Sequence, residues 1–215
     1  RTYNGFVYKY NSSGVYQNTS FTSNGGENMG LTWDGTYFYM GNSDGGQVYR
    51  YNSSWTLQNW AITSVNGVTG VAVIGTTCYV YVQSYNGGGS PANTDVVVPF
   101  TITSSGGTAG TPFSTNAQIG GQPQDLVTDG TYLYAVSRTG VVFQYTTSGV
   151  YTGATFSVNP LSSSTTDFGG ITFKGTELYS TNATDDRVFQ FNVTNSVGII
   201  DQVNTDGGTI YTRIL

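Results

Sequence analysis

The chain has 215 residues, of which only 9% are charged, with a net charge of -5, a pI near 4.3 and no histidine. An acidic surface excludes nucleic acid as a partner, because phosphates require a basic face. The missing histidine excludes Ser-His-Asp catalysis. Low charge does not predict disorder here, since 17 Tyr and 11 Phe supply the material of a core.

The first element in chain order is a strand, Val7-Tyr8-Lys9-Tyr10, whose residues alternate in character. Two Asn-x-Ser/Thr acceptor sites follow, at Asn11 and Asn18. Gly30-Leu31-Thr32-Trp33 then opens a longer unit. Asp34-Gly35 is a hairpin turn signal, because glycine tolerates positive φ. A second strand begins at Gly35-Thr36-Tyr37-Phe38-Tyr39, and Val48-Tyr49-Arg50-Tyr51 is a third. Asn52 begins another acceptor site. Trp55 and Trp60 are candidate ligand contacts, since indole rings stack on sugars.

The same order recurs three times. Gly70-Val71-Ala72-Val73 leads to Gly75-Thr76-Thr77-Cys78-Tyr79 and to Val97-Val98-Pro99-Phe100. Asp125-Leu126-Val127-Thr128 leads to Gly130-Thr131-Tyr132-Leu133-Tyr134 and to Val142-Phe143-Gln144-Tyr145. Gly170-Ile171-Thr172-Phe173 leads to Gly175-Thr176-Glu177-Leu178-Tyr179 and to Val188-Phe189-Gln190-Phe191. The single Cys78 lies in an apolar strand and is predicted to be a small buried hydrophobe. An insertion from Gln83 to Thr94 widens the second unit and offers Tyr85 and Asn86 as further ligand contacts. Asn182 and Asn192 complete the five acceptor sites. A chain this rich in Asn, Ser and Thr makes such sites by chance, so position decides. Asn11, Asn52 and Asn192 share one repeat slot, the turn after the third strand.

Gly30, Gly70, Asp125, Gly170 and Gly208 lie 40, 55, 45 and 38 residues apart. Four-stranded propeller blades repeat at about 40–50 residues. The expectation is an all-β, five-bladed β-propeller forming one domain. Its blades span 28–62, 68–115, 123–158 and 168–203, with a composite blade of 208–215 plus 1–23. Asp206-Gly207-Gly208-Thr209-Ile210-Tyr211 would start the unit that Val7 to Tyr10 finishes, closing the ring and removing an exposed edge. A two-sheet sandwich gives no reason for one phrase to recur four times.

Two stretches carry a family resemblance. Gln122-Pro123-Gln124-Asp125-Leu126 through Tyr134, then Val142 to Tyr145, resembles the NHL and YVTN class of propeller repeats. Asp186-Arg187-Val188-Phe189-Gln190-Phe191 is similar to their Arg-Val/Ile strand. The resemblance implies a propeller scaffold and no particular activity.

The loops hold few reactive groups. Asp125 and Asp167 stand near the starts of first strands, at the rim of the channel, where capping or turn roles are expected. Asp34 and Asp129 are turn residues, and Glu177 replaces a tyrosine and reads as surface. Asp185 and Asp186 with Asn182 read as a polar loop, since no spacing matches a calcium loop. The sequence therefore predicts no enzyme, no metal and no cofactor.

The predicted protein is an extracellular or cell-surface structural or interaction protein, glycosylated at the acceptor sites and self-associating into a coat or filament. In that reading Thr209 to Leu215 of one copy pairs with the N-terminal strands of the next, a head-to-tail contact. The alternative is a multivalent glycan-binding propeller. No apolar run reaches the ~18 residues of a membrane span, so no membrane insertion is expected. The start at Arg1 predicts a processed or excised segment.

Overall fold

A computed structural model describes residues 5–11, 15–63, 67–83, 95–119, 122–158, 168–182, 187–192, 201–202 and 211–212. The chain enters through a two-stranded ladder, β1 (Phe6–Tyr10) and β2 (Tyr16–Thr22). A first blade follows, β3 (Asn28–Trp33), β4 (Tyr37–Asn42), β5 (Gln47–Asn52) and β6 (Leu57–Ile62), each strand paired antiparallel with the next.

The second blade is β7 (Val68–Ile74), β8 (Thr77–Val82) and β9 (Val96–Ile102). Its outer strand is split into β10 (Gly107–Ala109) and β11 (Phe113–Ser114), both on β9. A short helix, α1 (Asn116–Ile119), leads to the third blade: β12 (Pro123–Thr128), β13 (Leu133–Ser137), β14 (Val141–Tyr145) and β15 (Tyr151–Ser157). The fourth has β16 (Phe168–Lys174), β17 (Glu177–Asn182) and β18 (Arg187–Asn192). Two further strands, β19 (Asp201–Gln202) and β20 (Tyr211–Thr212), pair with each other, and β19 contacts β18. Among the described residues no helix is long and apolar enough to cross a membrane.

The core lies between blades. Strand alternation sends Val71, Val73, Cys78 and Val80 of the second blade toward Tyr39, Val48 and Trp60 of the first. The intervening residues Ala72, Tyr79 and Tyr81 meet Leu126, Leu133 and Tyr145 of the third. The third in turn packs Val127, Tyr134 and Val142 on Ile171, Leu178 and Phe189 of the fourth. Each fully buried side chain of this size contributes about 1.5–3 kcal/mol. Cys78 sits inside the first of these layers, as its apolar strand predicts, and burial pushes its thiol pKa far up.

The innermost strands β3, β7, β12 and β16 pack side by side around the axis. Glycine makes that approach possible. A Cβ built on Gly30 would stand 2.8 Å from the Cα of Gly70, and one on Gly70 would overlap the backbone nitrogen of Leu126.

This is a β-propeller with four blades among the described residues, where five were expected. The composite blade is not formed there. β20 lies against β19 through Asp201–Thr212 and Gln202–Tyr211, while β1 pairs with β2 alone. The β19–β20 contact is the more local one, and joining β20 to β1 means closing a loop of nearly the whole chain. The remaining residues of the predicted closing segment, 208–210 and 213–215, lie outside the described residues.

Candidate functional site

Three turns set the frame. In the first blade, Asp34 Oδ1 accepts the N–H groups of Thr36 and Tyr37, both at 2.7 Å, and Oδ2 accepts the Tyr39 hydroxyl at 2.9 Å. Asp129 repeats this with Thr131 and Tyr132 at 2.8 Å and Tyr134 at 2.7 Å. The fourth blade has Lys174 at that place. There Glu177 reaches back to accept the Tyr179 hydroxyl at 2.9 Å, so it stands in for the missing aspartate. Burial first, then the neighbouring Asp129, pushes the Tyr134 hydroxyl up to about 12.

A cleft of about 490 Å³ opens between the first and fourth blades, with β1 as one wall. Tyr8 and Tyr10 of β1, Leu31 of β3 and Met40 of β4 give it an apolar side, and Ile171, Tyr179 and Thr181 line the other. Tyr8, Tyr10 and Leu31, which line it, leave apolar surface exposed.

Asp125 lines this cleft and is 8% exposed. It occupies the repeat position that is Gly30, Gly70 and Gly170 in the other three blades, so its side chain is the one that projects from the glycine ring. Oδ1 accepts its neighbour's N–H, that of Leu126, at 2.8 Å. Oδ2 accepts the Ile171 N–H at 3.0 Å, across to the fourth blade. Burial pushes its pKa up to about 7, against the opposing pull of those two N–H groups. The rim acid read from sequence is thus a buried inter-blade tie on the cleft.

Asn28 is a second polar group on the cleft, and sequence reasoning missed it. It is 4% exposed, and its Nδ2 donates to Ser23 Oγ at 2.8 Å, while its Oδ1 has no hydrogen-bond partner. Ser23 Oγ in turn donates to the Gly5 carbonyl at 2.7 Å. Its place two residues before the first anchor glycine was the only available signal, and no sister blade repeats it.

Both tryptophans lie elsewhere. Trp60 is 3% exposed between the first two blades, with Nε1 on the Thr103 carbonyl at 2.9 Å and its ring edge-on to Tyr39 at 5.3 Å. Trp55 is half-buried, stacks on Tyr51 at 4.8 Å, and meets Phe21 and Phe38 at 5.3 and 5.0 Å. Its Nε1 donates to the Thr22 carbonyl at 3.3 Å, which fastens β2 to the first blade. Packing between the blades buries the Trp60 indole, which leaves it no face for a sugar, while Trp55 stacks on Tyr51 and stays half-buried. Tyr85 and Asn86, like Asp167, Asp185 and Asp186, lie outside the described residues.

The acceptor asparagines divide. Asn11 and Asn52 close hairpin turns, their Oδ1 atoms accepting Val15 N–H at 2.9 Å and Thr56 N–H at 2.8 Å. Thr146 does the same for Val150 at 3.0 Å, so the shared slot has a turn function in three repeats. Asn11 and Asn18 are exposed, Asn52 is half-buried, and Asn18 takes φ 51° within β2. Asn182 is 1% exposed at the end of β17 and has no room for a glycan, which corrects that assignment. Asn192 ends β18, and its side chain lies outside the described residues.

The repeat phrase, the antiparallel blades and their packing define a β-propeller repeat protein, in keeping with the NHL-type resemblance. No protein-family model and no curated protein sequence matches the chain. Solved structures do. Glutaminyl cyclase from Myxococcus xanthus is similar over 77% of this chain and 65% of its own, with a TM-score of 0.60 and 11% identity. Virginiamycin B lyase from Staphylococcus aureus is similar over 90% of this chain and 61% of its own, with a TM-score of 0.53 and 14% identity. A chain of the nidogen/laminin complex is similar over 88% of this chain and 72% of its own, with a TM-score of 0.55 and 13% identity. The chain thus spans under two thirds of the length of the two enzymes. At these identities the likeness is one of fold.

Those two enzymes overturn one expectation. The sequence reading assigned no enzyme activity, on the scarcity of catalytic groups. The same scaffold carries a cyclase and a lyase, so the fold does not exclude catalysis.

Proposed function

We propose that this is an extracellular or cell-surface interaction protein that engages its partners at the cleft between the first and fourth blades. The observation that supports it is the exposed apolar and aromatic rim of that cleft, beside a β1 edge that carries no second ladder among the described residues. An open strand edge recruits an extended segment through main-chain hydrogen bonds, and side-chain pockets then select it.

The finer reading is self-association. The segment from Thr209 to Leu215 carries a spare copy of the second-strand phrase, the strand that precedes β5, β14 and β18 in their blades. Supplied by a neighbouring copy to β1, it makes a head-to-tail contact that propagates as a filament or coat. Glycans at Asn11 and Asn52 stand in hairpin turns, and one at Asn18 stands on β2.

Light scattering on the secreted, glycosylated protein tests this directly. Regular polymers are expected, and Tyr8→Pro, which removes a β1 donor and blocks edge pairing, returns monomers. Polymers that persist in both Tyr8→Pro and a 209–215 deletion overturn the reading.

A further inference from the structure

We propose that the cleft recognises a primary ammonium group carried on an apolar stem, with the carboxylate of Asp125 as its acceptor. This rests on the reading of the cleft as the contact site, and adds the chemistry that it selects.

Three observations carry it. First, Asp125 is the single side chain at an axial position that is glycine in every other blade, and it faces a cavity of about 490 Å³. That volume falls within the usual range of ligand pockets, roughly 300–1,000 Å³. Second, Asp125 has acceptor capacity to spare. Each of its oxygens uses one lone pair on a backbone N–H and retains another. An ammonium has three donors and no acceptor, which matches that inventory. Third, the remaining lining suits a hydrocarbon or aromatic stem. Leu31 and Met40 offer apolar contact, and Tyr8, Tyr10 and Tyr179 offer ring faces that attract cations. Among the described residues Asp125 is the only Asp, Glu, Lys or Arg that lines the cleft.

Burial is costly for a carboxylate, and here it favours the protonated acid. A ligand ammonium provides a charge partner and makes charge-assisted hydrogen bonds within the cleft. The chemistry has two sources, a free small amine or the lysine side chain of a docking partner.

Calorimetric titration of the full chain at pH 8 tests the proposal with three probes: 2-phenylethylamine, its neutral isostere 2-phenylethanol, and Nα-acetyl-lysine amide. Phenylethylamine is expected to bind roughly tenfold or more tighter than phenylethanol. Asp125→Asn and Asp125→Gly, the latter restoring the sister residue, abolish that preference while far-UV dichroism stays unchanged. Tighter binding of the lysine probe than of phenylethylamine assigns the group to a partner protein, and the reverse order to a free amine. Equal binding of amine and alcohol, or a preference that survives in whichever Asp125 variant folds, overturns the ammonium site. Silence from all three probes overturns it as well, and self-association, read separately by light scattering, then stands or falls alone.

Discussion

The hydroxyl of Tyr39 donates to the Asp34 carboxylate at 2.9 Å, tying a buried strand residue to the turn that launches its own strand. The same oxygen pattern recurs at Tyr134 and Asp129 at 2.7 Å. Each aspartate thereby serves three donors, two from the turn backbone and one from the second strand. Burial, followed by the Asp34 contact, pushes the Tyr39 hydroxyl well above its ordinary pKa. Asp34→Ala leaves all three donors unserved and is expected to cost about 1–3 kcal/mol in urea unfolding. Asp129→Ala lowers stability similarly. A cycle of Asp34→Ala with Tyr39→Phe shows coupling, while Asp34→Ala with Asp129→Ala is additive, because the two turns share no partner.

Trp60 is a keystone between the first two blades. The Arg50 guanidinium lies over its ring at 4.9 Å and over Tyr37 at 4.3 Å. Trp60→Ala opens a cavity in a buried layer and is expected to destabilise by about 3–5 kcal/mol. Trp55→Ala costs less, since that ring is half-buried, and it loosens β2 from the first blade. Denaturant midpoints of the two variants measure the difference.

Asp125 imposes a pH dependence. Its pKa rises from 3.8 toward about 7 on folding, so the folded state holds a proton that the unfolded chain releases. Its contribution is neutral below pH 4 and becomes progressively unfavourable as pH rises from about 4 to 7, where the full cost is reached. A melting temperature that declines across this window is expected, and Asp125→Asn flattens that decline. A profile unchanged by the substitution contradicts the assignment of the titration to Asp125.

Glycan occupancy follows exposure. Expression through a eukaryotic secretory route is expected to modify Asn11, Asn18 and Asn52, and to leave Asn182 bare, its side chain being closed inside the fourth blade. Glycopeptide mass spectrometry reads each site, and Asn182→Gln leaves the glycoprotein's mass shift unaltered.

Much of the architecture was legible because it is local. Asp34-Gly35 and Asp129-Gly130 specify hairpins within a few residues, and alternation in Val48-Tyr49-Arg50-Tyr51 specifies which side is buried. Blade number was not legible, since it turns on whether Tyr211 pairs with β19 or with β1, and no short-range pattern distinguishes those partners. The site was legible only in outline. Asp125 stood out as an acid near a first strand, but its burial depends on how closely Gly70 and Gly170 let the inner strands approach. Asn28 left no trace, because its role rests on Ser23 and Gly5 rather than on any repeated position. Trp60 misled for a simple reason: an indole that stacks on a sugar and one that packs between blades are the same residue in a sequence.

The alternation of β7 and β8 toward opposite neighbours has a kinetic consequence. Each apolar layer belongs to two adjacent blades and to no others, so the ring behaves as a row of coupled units rather than as one indivisible core. The second and third blades hold a layer on both faces, whereas the first and fourth hold one each among the described residues. Amide hydrogen exchange should therefore grade outward. Val80, Ala135 and their ladder partners should exchange last, close to the limit of global opening, and amides of β1 and β18 should exchange first. The protein opens like a fan, from its flanks toward its middle.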